Sequence, residues 1–288
     1  LKPAASSRSP ATRAPMDGAS LQAWPDALHL LLLRHLGGPR QVHAYLWPYC
    51  TLCRTCQSAA MQPSLWRDID FGESTLDDLD FAKILGLVRR CGRQSLERLS
   101  LRGLTEIDDA AVASLAAALA GGPLRSLDLG SCPGVSGAAL LALRSVPKLE
   151  ELSVECVGGL EDRHLEALCD ACPRLARLDV RFCEWLTDVS VLLRSPGTWA
   201  SLQLDGCFRL EVNRLLAEPP GSWHSLRELS LDGEELCAEQ LASVASACPG
   251  LRCLAVSFAR ELDAGAVAAL ASLASLEELT MRKASAPG

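Results

Sequence analysis

Three cysteines stand at positions 50, 53 and 56 in the run CTLCRTC, a spacing that suits half of a zinc site or a repeated redox dithiol. Zinc needs a fourth ligand, and His43, seven residues before Cys50, is the nearest one. Structural sites usually draw on two separated ligand pairs, and no second pair follows in this segment. On a helix, residues three apart share one side and drift slowly around it. Core packing is therefore the reading the residues favour, with zinc at His43, Cys50, Cys53 and Cys56, or thiol redox work, as the alternatives. No GxSxG, P-loop or HExxH occurs, nor a GxGxxG that opens a helix. The five histidines (29, 35, 43, 164, 224) are scattered. The expectation is a chain with no catalytic residue, no metal and no cofactor. Asp108, Asp162 and Asp188 are expected at helix starts, where an anion suits the exposed N–H groups.

Composition narrows the partners. The formal net charge is −7 over 288 residues, which argues against nucleic acid, because phosphate binding needs a basic face. The longest apolar run, LHLLLL at 28–33, is far shorter than the roughly 18 residues of a membrane span. No secretory apolar region is visible near the start. Thirteen cysteines cannot all pair, so reduced thiols in a cytoplasmic or nuclear compartment are the simpler expectation. The chain begins with Leu and ends KASAPG, which reads as a fragment or a simple end.

The elements that would position any site come from a repeat. The mask L-x-x-L-x-L starts at 96, 124, 149, 175, 199, 226, 251 and 276, in steps of 24 to 28 residues, with an earlier copy, WRDIDF, at 66. A second apolar position follows at Ile107, Val135, Leu160, Leu186, Leu210, Leu236 and Leu262. A third, five residues on, is Val112, Leu140, Leu165, Val191, Leu215, Leu241 or Val267. In five units another apolar residue comes three later, which is helical spacing. Each unit reads as strand, turn, helix. Neither element can bury its apolar stripe alone, so neighbouring units must stack and share one core.

The period and the extended masks LRSLDLGSC, LARLDVRFC and WASLQLDGC resemble the leucine-rich-repeat family, in its cysteine-containing subclass. That resemblance implies an α/β solenoid over 68–283, with parallel strands on the concave face, helices outside and a tail at 284–288. It also implies that the cysteine after the strand turns inward to cap loop backbone. The units from Leu175 and Trp199 have shortened helices, broken by SPG at 195–197 and EPPGS at 218–222, and an irregularity is expected there.

Residues 1–20, rich in Ala, Ser, Pro and Arg, read as disordered. Then WPDALHLLLLRHL opens an amphipathic helix with Pro25 in its first turn. Trp24-Pro25, the apolar helix, the segment Leu52-Cys53-Arg54-Thr55-Cys56 and the pair Leu65-Trp66 together resemble the F-box over about 21–67. The resemblance departs where Trp24 replaces Leu, where Cys56 replaces Trp, and in a slightly long middle.

F-box followed by leucine-rich repeats resembles the substrate receptors of SCF-type ubiquitin ligases. The resemblance implies a Skp-family adaptor, and through it a cullin, bound by Trp24, Pro25, Leu28, Leu32, Leu33, Leu36 and Trp66. It also implies a protein substrate on the concave face. The residues that flank the inward leucines supply that face, among them Arg102, Asp128, Glu155, Asp179, Arg181, Asp205 and Asp232. As a set they are acidic and suit a basic partner. The rival readings are a repeat scaffold whose N-terminal helices merely cap the solenoid, and a GTPase-activating solenoid using Arg102 or Arg181.

Overall fold

A computed structural model describes residues 54–60, 62, 65–72, 81–194, 198–216, 223–258 and 264–283. The chain divides into a unit of residues 1–62 and a unit of residues 63–288. In the first unit one helix is described, α1 (Arg54–Ala60), with Cys56 and Ala59 buried. The expected adaptor residues from Trp24 to Leu36, and His43, Cys50 and Cys53, lie outside the described residues.

The second unit is a leucine-rich-repeat solenoid. Nine strands form one parallel sheet in chain order. They are β1 (Asp68–Asp70), β2 (Arg98–Ser100), β3 (Ser126–Asp128), β4 (Glu151–Ser153), β5 (Arg177–Asp179), β6 (Ser201–Gln203), β7 (Glu228–Glu235), β8 (Cys253–Phe258) and β9 (Glu278–Lys283). One row pairs in register across all nine, from Ile69 through Leu99, Leu127, Leu152, Leu178, Leu202, Leu229 and Leu254 to Leu279. A one-residue slip would turn every leucine to the open face, so burial pins the register. All of this row but Leu279 is buried, as is the next row, from Phe71 and Leu101 to Val256.

The returning segments vary: α2 (Phe81–Leu87) runs on into a π turn, Val88–Gly92. Next come α3 (Asp109–Ala118), a 3₁₀ helix (Gly137–Ser145), α4 (Asp162–Ala171), α5 (Val191–Arg194), α6 (Val212–Leu216), α7 (Ala238–Ala247) and α8 (Ala264–Ala271). The two middle helices are short, as the sequence indicated. Yet the sheet passes through their units in register, and the one slip falls later, between Leu231 and Glu235 where β7 meets β8. Two stripe positions differ from expectation. Leu192, not Val191, is the fully buried residue of α5, and Val267 is exposed while Ala266 and Ala269 face the core. Short or small-residue helices shift which position reaches the core. Trp199 ties this unit together: its buried indole donates to the Leu192 carbonyl in α5 at 2.6 Å.

Caps tie the units together. The Asp108 carboxylate accepts the Ala111 N–H at 2.7 Å, a side-chain N-cap of α3. Asp109 accepts from the Ser136 N–H and hydroxyl in the next unit, at 2.7 and 2.6 Å. Asp162 does the same to Thr187, at 2.9 and 2.6 Å. Asp188 lies three residues before α5 and accepts from the Ser190 N–H at 2.7 Å.

Candidate functional site: the open sheet face and its loop edge

Alternation along each strand leaves two rows of side chains on the open face. The central row runs in register through Asp70, Ser100, Asp128, Ser153, Asp179, Gln203, Ser230, Ala255 and Thr280. Asp70, Asp128 and Asp179 each accept the N–H two residues on: Gly72 at 2.9 Å, Gly130 at 2.8 Å and Arg181 at 3.1 Å. These aspartates thus fasten the strand ends as well as line the face.

The second row holds an ion-pair network. Glu155, after β4, is only 8% exposed. Its Oε2 accepts from Arg102 Nη2 at 2.5 Å and from Arg181 Nη2 at 3.0 Å. Arg181 also grips Asp179, with Nε to Oδ1 at 2.9 Å and Nη2 to Oδ2 at 2.8 Å. Ser153 donates to the same Asp179 at 3.3 Å. Arg102 reaches Glu155 from two strands away by crossing Gly130. A Cβ at position 130 would lie 2.6 Å from Arg102 Nη1, so this glycine is the gap through which the guanidinium passes. The neighbouring carboxylates raise the pKa of both arginines, led by the hydrogen bonds that Arg102 donates to Glu155 and Arg181 donates to Asp179. Burial pushes the Asp128 carboxyl upward, opposed by the Gly130 N–H and Arg102.

The expected face residues therefore fall into two groups. Arg102, Glu155, Asp179 and Arg181 are brought together and satisfy one another. Asp128 stands half-buried beside them, and Asp205 accepts from the Ser230 hydroxyl farther along. Asp232 lies in β7, with its side chain outside the described residues. Trp66, expected at the adaptor surface, is 1% exposed.

At the start of the strands a recess of about 690 Å³ opens on Arg98, Arg125, Glu150, Glu151 and Arg177. Its charge is mixed, and Arg125 is already paired with Glu150.

Just past the strand ends, one residue per unit adopts the left-handed conformation in five successive units: Gly103, Ser131, Cys156, Phe182 and Gly206. Nothing in the leucine mask marks that position, and three of the five are not glycine. The loops here expose aromatic rings the sequence reading passed over: Phe182 (48% exposed), Trp185 (53%) and Phe208 (68%). Backbone pairing holds the two loops together, with Phe182 N–H donating to Asp205 C=O at 2.7 Å. The Phe182 ring lies against Gly206, where an added Cβ would come within 2.4 Å of it. The Arg209 guanidinium sits 4.7 Å from the Trp185 ring centroid. Aromatics are 5% of the chain, and three within 27 residues at non-leucine positions were the available signal.

The inward cysteines form a ladder. Cys132, Cys183 and Cys207 donate to the carbonyls of Leu101, Val154 and Val180, each at the end of the preceding unit's strand, at 3.1, 3.3 and 3.2 Å. Cys169 and Cys172 make a further CxxC at the end of α4, but both are buried and Cys172 donates to Leu143 C=O at 3.7 Å. Burial pushes the Cys172 thiol up to about 11, the opposite of an activated dithiol.

No family model and no curated protein matches this chain. Several solved structures resemble it. A leucine-rich-repeat protein, LegL7 of Legionella pneumophila, is 14% identical over 81% of this chain and 80% of its own, with a TM-score of 0.46. The Rad7 and Elc1 complex of yeast matches at 15% identity over 91% of this chain and 82% of the matched one, with a TM-score of 0.49. Internalin C2 of Listeria monocytogenes matches at 17% identity and a TM-score of 0.37, and this chain spans 64% of its length. At such identities and scores the resemblance assigns no activity, and the solenoid stands on the chain's own sheet and register.

Proposed function

We propose that this chain is the substrate-recognition subunit of an SCF-type E3 ubiquitin ligase. The N-terminal helices dock a Skp-family adaptor, and through it a cullin, while the open sheet face takes a protein target. The chain contributes no catalytic residue; it acts by proximity, holding the target near a ubiquitin-charged enzyme and raising effective concentration. Its place of work is the cytoplasm or nucleus. The observation that carries the reading is order: the F-box-like run from Trp24-Pro25 to Leu65-Trp66 leads directly into β1 of a sheet with an open polar face.

One observation favours the second reading, a protein-interaction scaffold without a ligase role. Trp66, the last residue of the F-box-like pattern, is buried rather than exposed. Co-purification with a Skp-family adaptor separates the two. Stoichiometric recovery, lost in a Leu32→Asp/Leu36→Asp double variant that stays folded, is the expected result. A folded wild-type chain that ignores the adaptor leaves the scaffold.

A further inference from the structure

We infer that the recess at the starts of β2 to β5 is a docking site for an acidic segment of a partner protein, an extended stretch with two Asp or Glu side chains about four residues apart. The inference rests on the protein-binding part of the preceding reading and not on the adaptor.

The first observation is the charge left over after pairing. Arg98, Arg125, Arg174 and Arg177 line the recess, with Glu97, Glu150 and Glu151. Glu150 is taken by Arg125, and Glu97 by Arg67, which does not line the recess. Arg98, Arg174 and Arg177 are exposed and form no ion pair among the described residues. Against these three cations stands one uncommitted carboxylate, Glu151. The recess thus holds an excess of positive charge on a chain whose formal net charge is −7. A concave site lined by one sign of charge focuses the field on a ligand of the other sign.

The second observation is placement. Arg98, Ser126, Glu151 and Arg177 pair in register across the four strands. Each comes one residue before an inward leucine, so alternation points it to the open face. Arg98 and Arg177 stand three strand spacings apart, roughly 14 Å at the backbone, which about four residues of extended chain span. Arg174, in the turn that leads into β5, adds charge at the Arg177 end. A guanidinium presents a planar fork that matches a carboxylate. The order across the strands is cation, neutral, acid, cation, which selects two separated acids. It disfavours nucleic acid, because Glu151 interrupts the continuous basic face that a phosphate backbone needs.

The test is panning of a random displayed-peptide library on the full chain, after binders to an Arg98→Glu/Arg177→Glu variant have been removed. Enriched peptides should carry two Asp or Glu residues about four apart. Synthetic copies should bind at least tenfold more weakly to Arg98→Ala and to Arg177→Ala, and more weakly as salt rises. Arg163→Ala, on α4 and not in the lining, should bind as wild type does. Thermal unfolding should be the same in all of these variants, since the side chains removed are exposed. Neutral or basic peptides, affinity unmoved by the Arg98 and Arg177 variants, or no enrichment would each overturn the inference. Replacing the two acids by phosphoserine separates the sources of negative charge. Comparable or weaker binding fits a carboxylate site, and binding at least tenfold tighter would assign the recess to phosphate instead. Adaptor co-purification has a separate readout, so its failure leaves this result standing.

Discussion

Glu155 shows how one side chain organises the open face. It sits in the polar row of its strand, but two guanidiniums close over it and exclude water. With its side chain 11% exposed and its partners 39% and 33%, the pair energies fall between those of surface and buried bridges. Glu155→Gln keeps the shape and removes the charge, leaving Arg102 and Arg181 facing each other. Urea denaturation should show a loss of about 1–2 kcal/mol; an unchanged midpoint would mean the bridges contribute nothing. Asp128 behaves in the opposite sense. Its folded pKa is raised, chiefly by burial, so its contribution to stability is complete when it is protonated and is lost as pH rises through that raised value. Asp128→Asn keeps an oxygen for the Gly130 N–H. The variant should melt higher than wild type near neutral pH, and the gap should close toward the ordinary carboxylate range. A gap that stays constant with pH would remove the ionised carboxylate as its cause.

At the scale of the element, each unit pairs a short strand, three residues long from β1 to β6, with a return segment of variable length, and small devices satisfy groups at the joins. The Trp199 indole donates to a carbonyl of α5, and the thiols of Cys132, Cys183 and Cys207 donate to strand-end carbonyls. Burial pushes Cys183 and Cys248 up to about 12. These folded values exceed the ordinary thiol value of 9.0, so stability is complete below it and is lost as pH climbs toward 12. Iodoacetamide applied to the native protein near neutral pH should label Cys156 and Cys237, the exposed thiols among the described residues. Cys132, Cys172, Cys183, Cys207 and Cys248 should react after denaturation. Native labelling of Cys183 by mass spectrometry would show that the ladder opens.

Across the whole repeat unit, stacking sets the response to damage. Each repeat buries its leucines against its two neighbours alone, so stability is a sum of local interfaces. Leu178 is buried in β5, between Leu152 and Leu202 in register. Leu178→Ala should cost about 2–5 kcal/mol. It should also split the array, broadening the urea transition and placing the first limited-proteolysis cuts near residues 175–200. A single transition with an unchanged slope would mean the unit melts as one body.

The sequence determined the solenoid, because a leucine period can be buried in one way only: Leu99, Leu127, Leu152 and their equivalents must share a row, and that row fixes which residues face out. The resemblance to the cysteine-containing repeats implied that Cys132, Cys183 and Cys207 point inward, and their sulfurs do reach the preceding unit's carbonyls. Tertiary structure decided what the outward residues do there. Arg102, Glu155 and Arg181 lie 26 to 79 residues apart in sequence, and only stacking, with Gly130 as the gap between, makes them one network. The left-handed turns at Ser131, Cys156 and Phe182 were equally unreadable, because intrinsic preference would have put glycine there. They persist because hydrogen bonds from the adjacent unit, such as Phe182 N–H to Asp205 C=O, over-determine the backbone. That same stacking sets two loops side by side and turns three scattered aromatic residues into a surface.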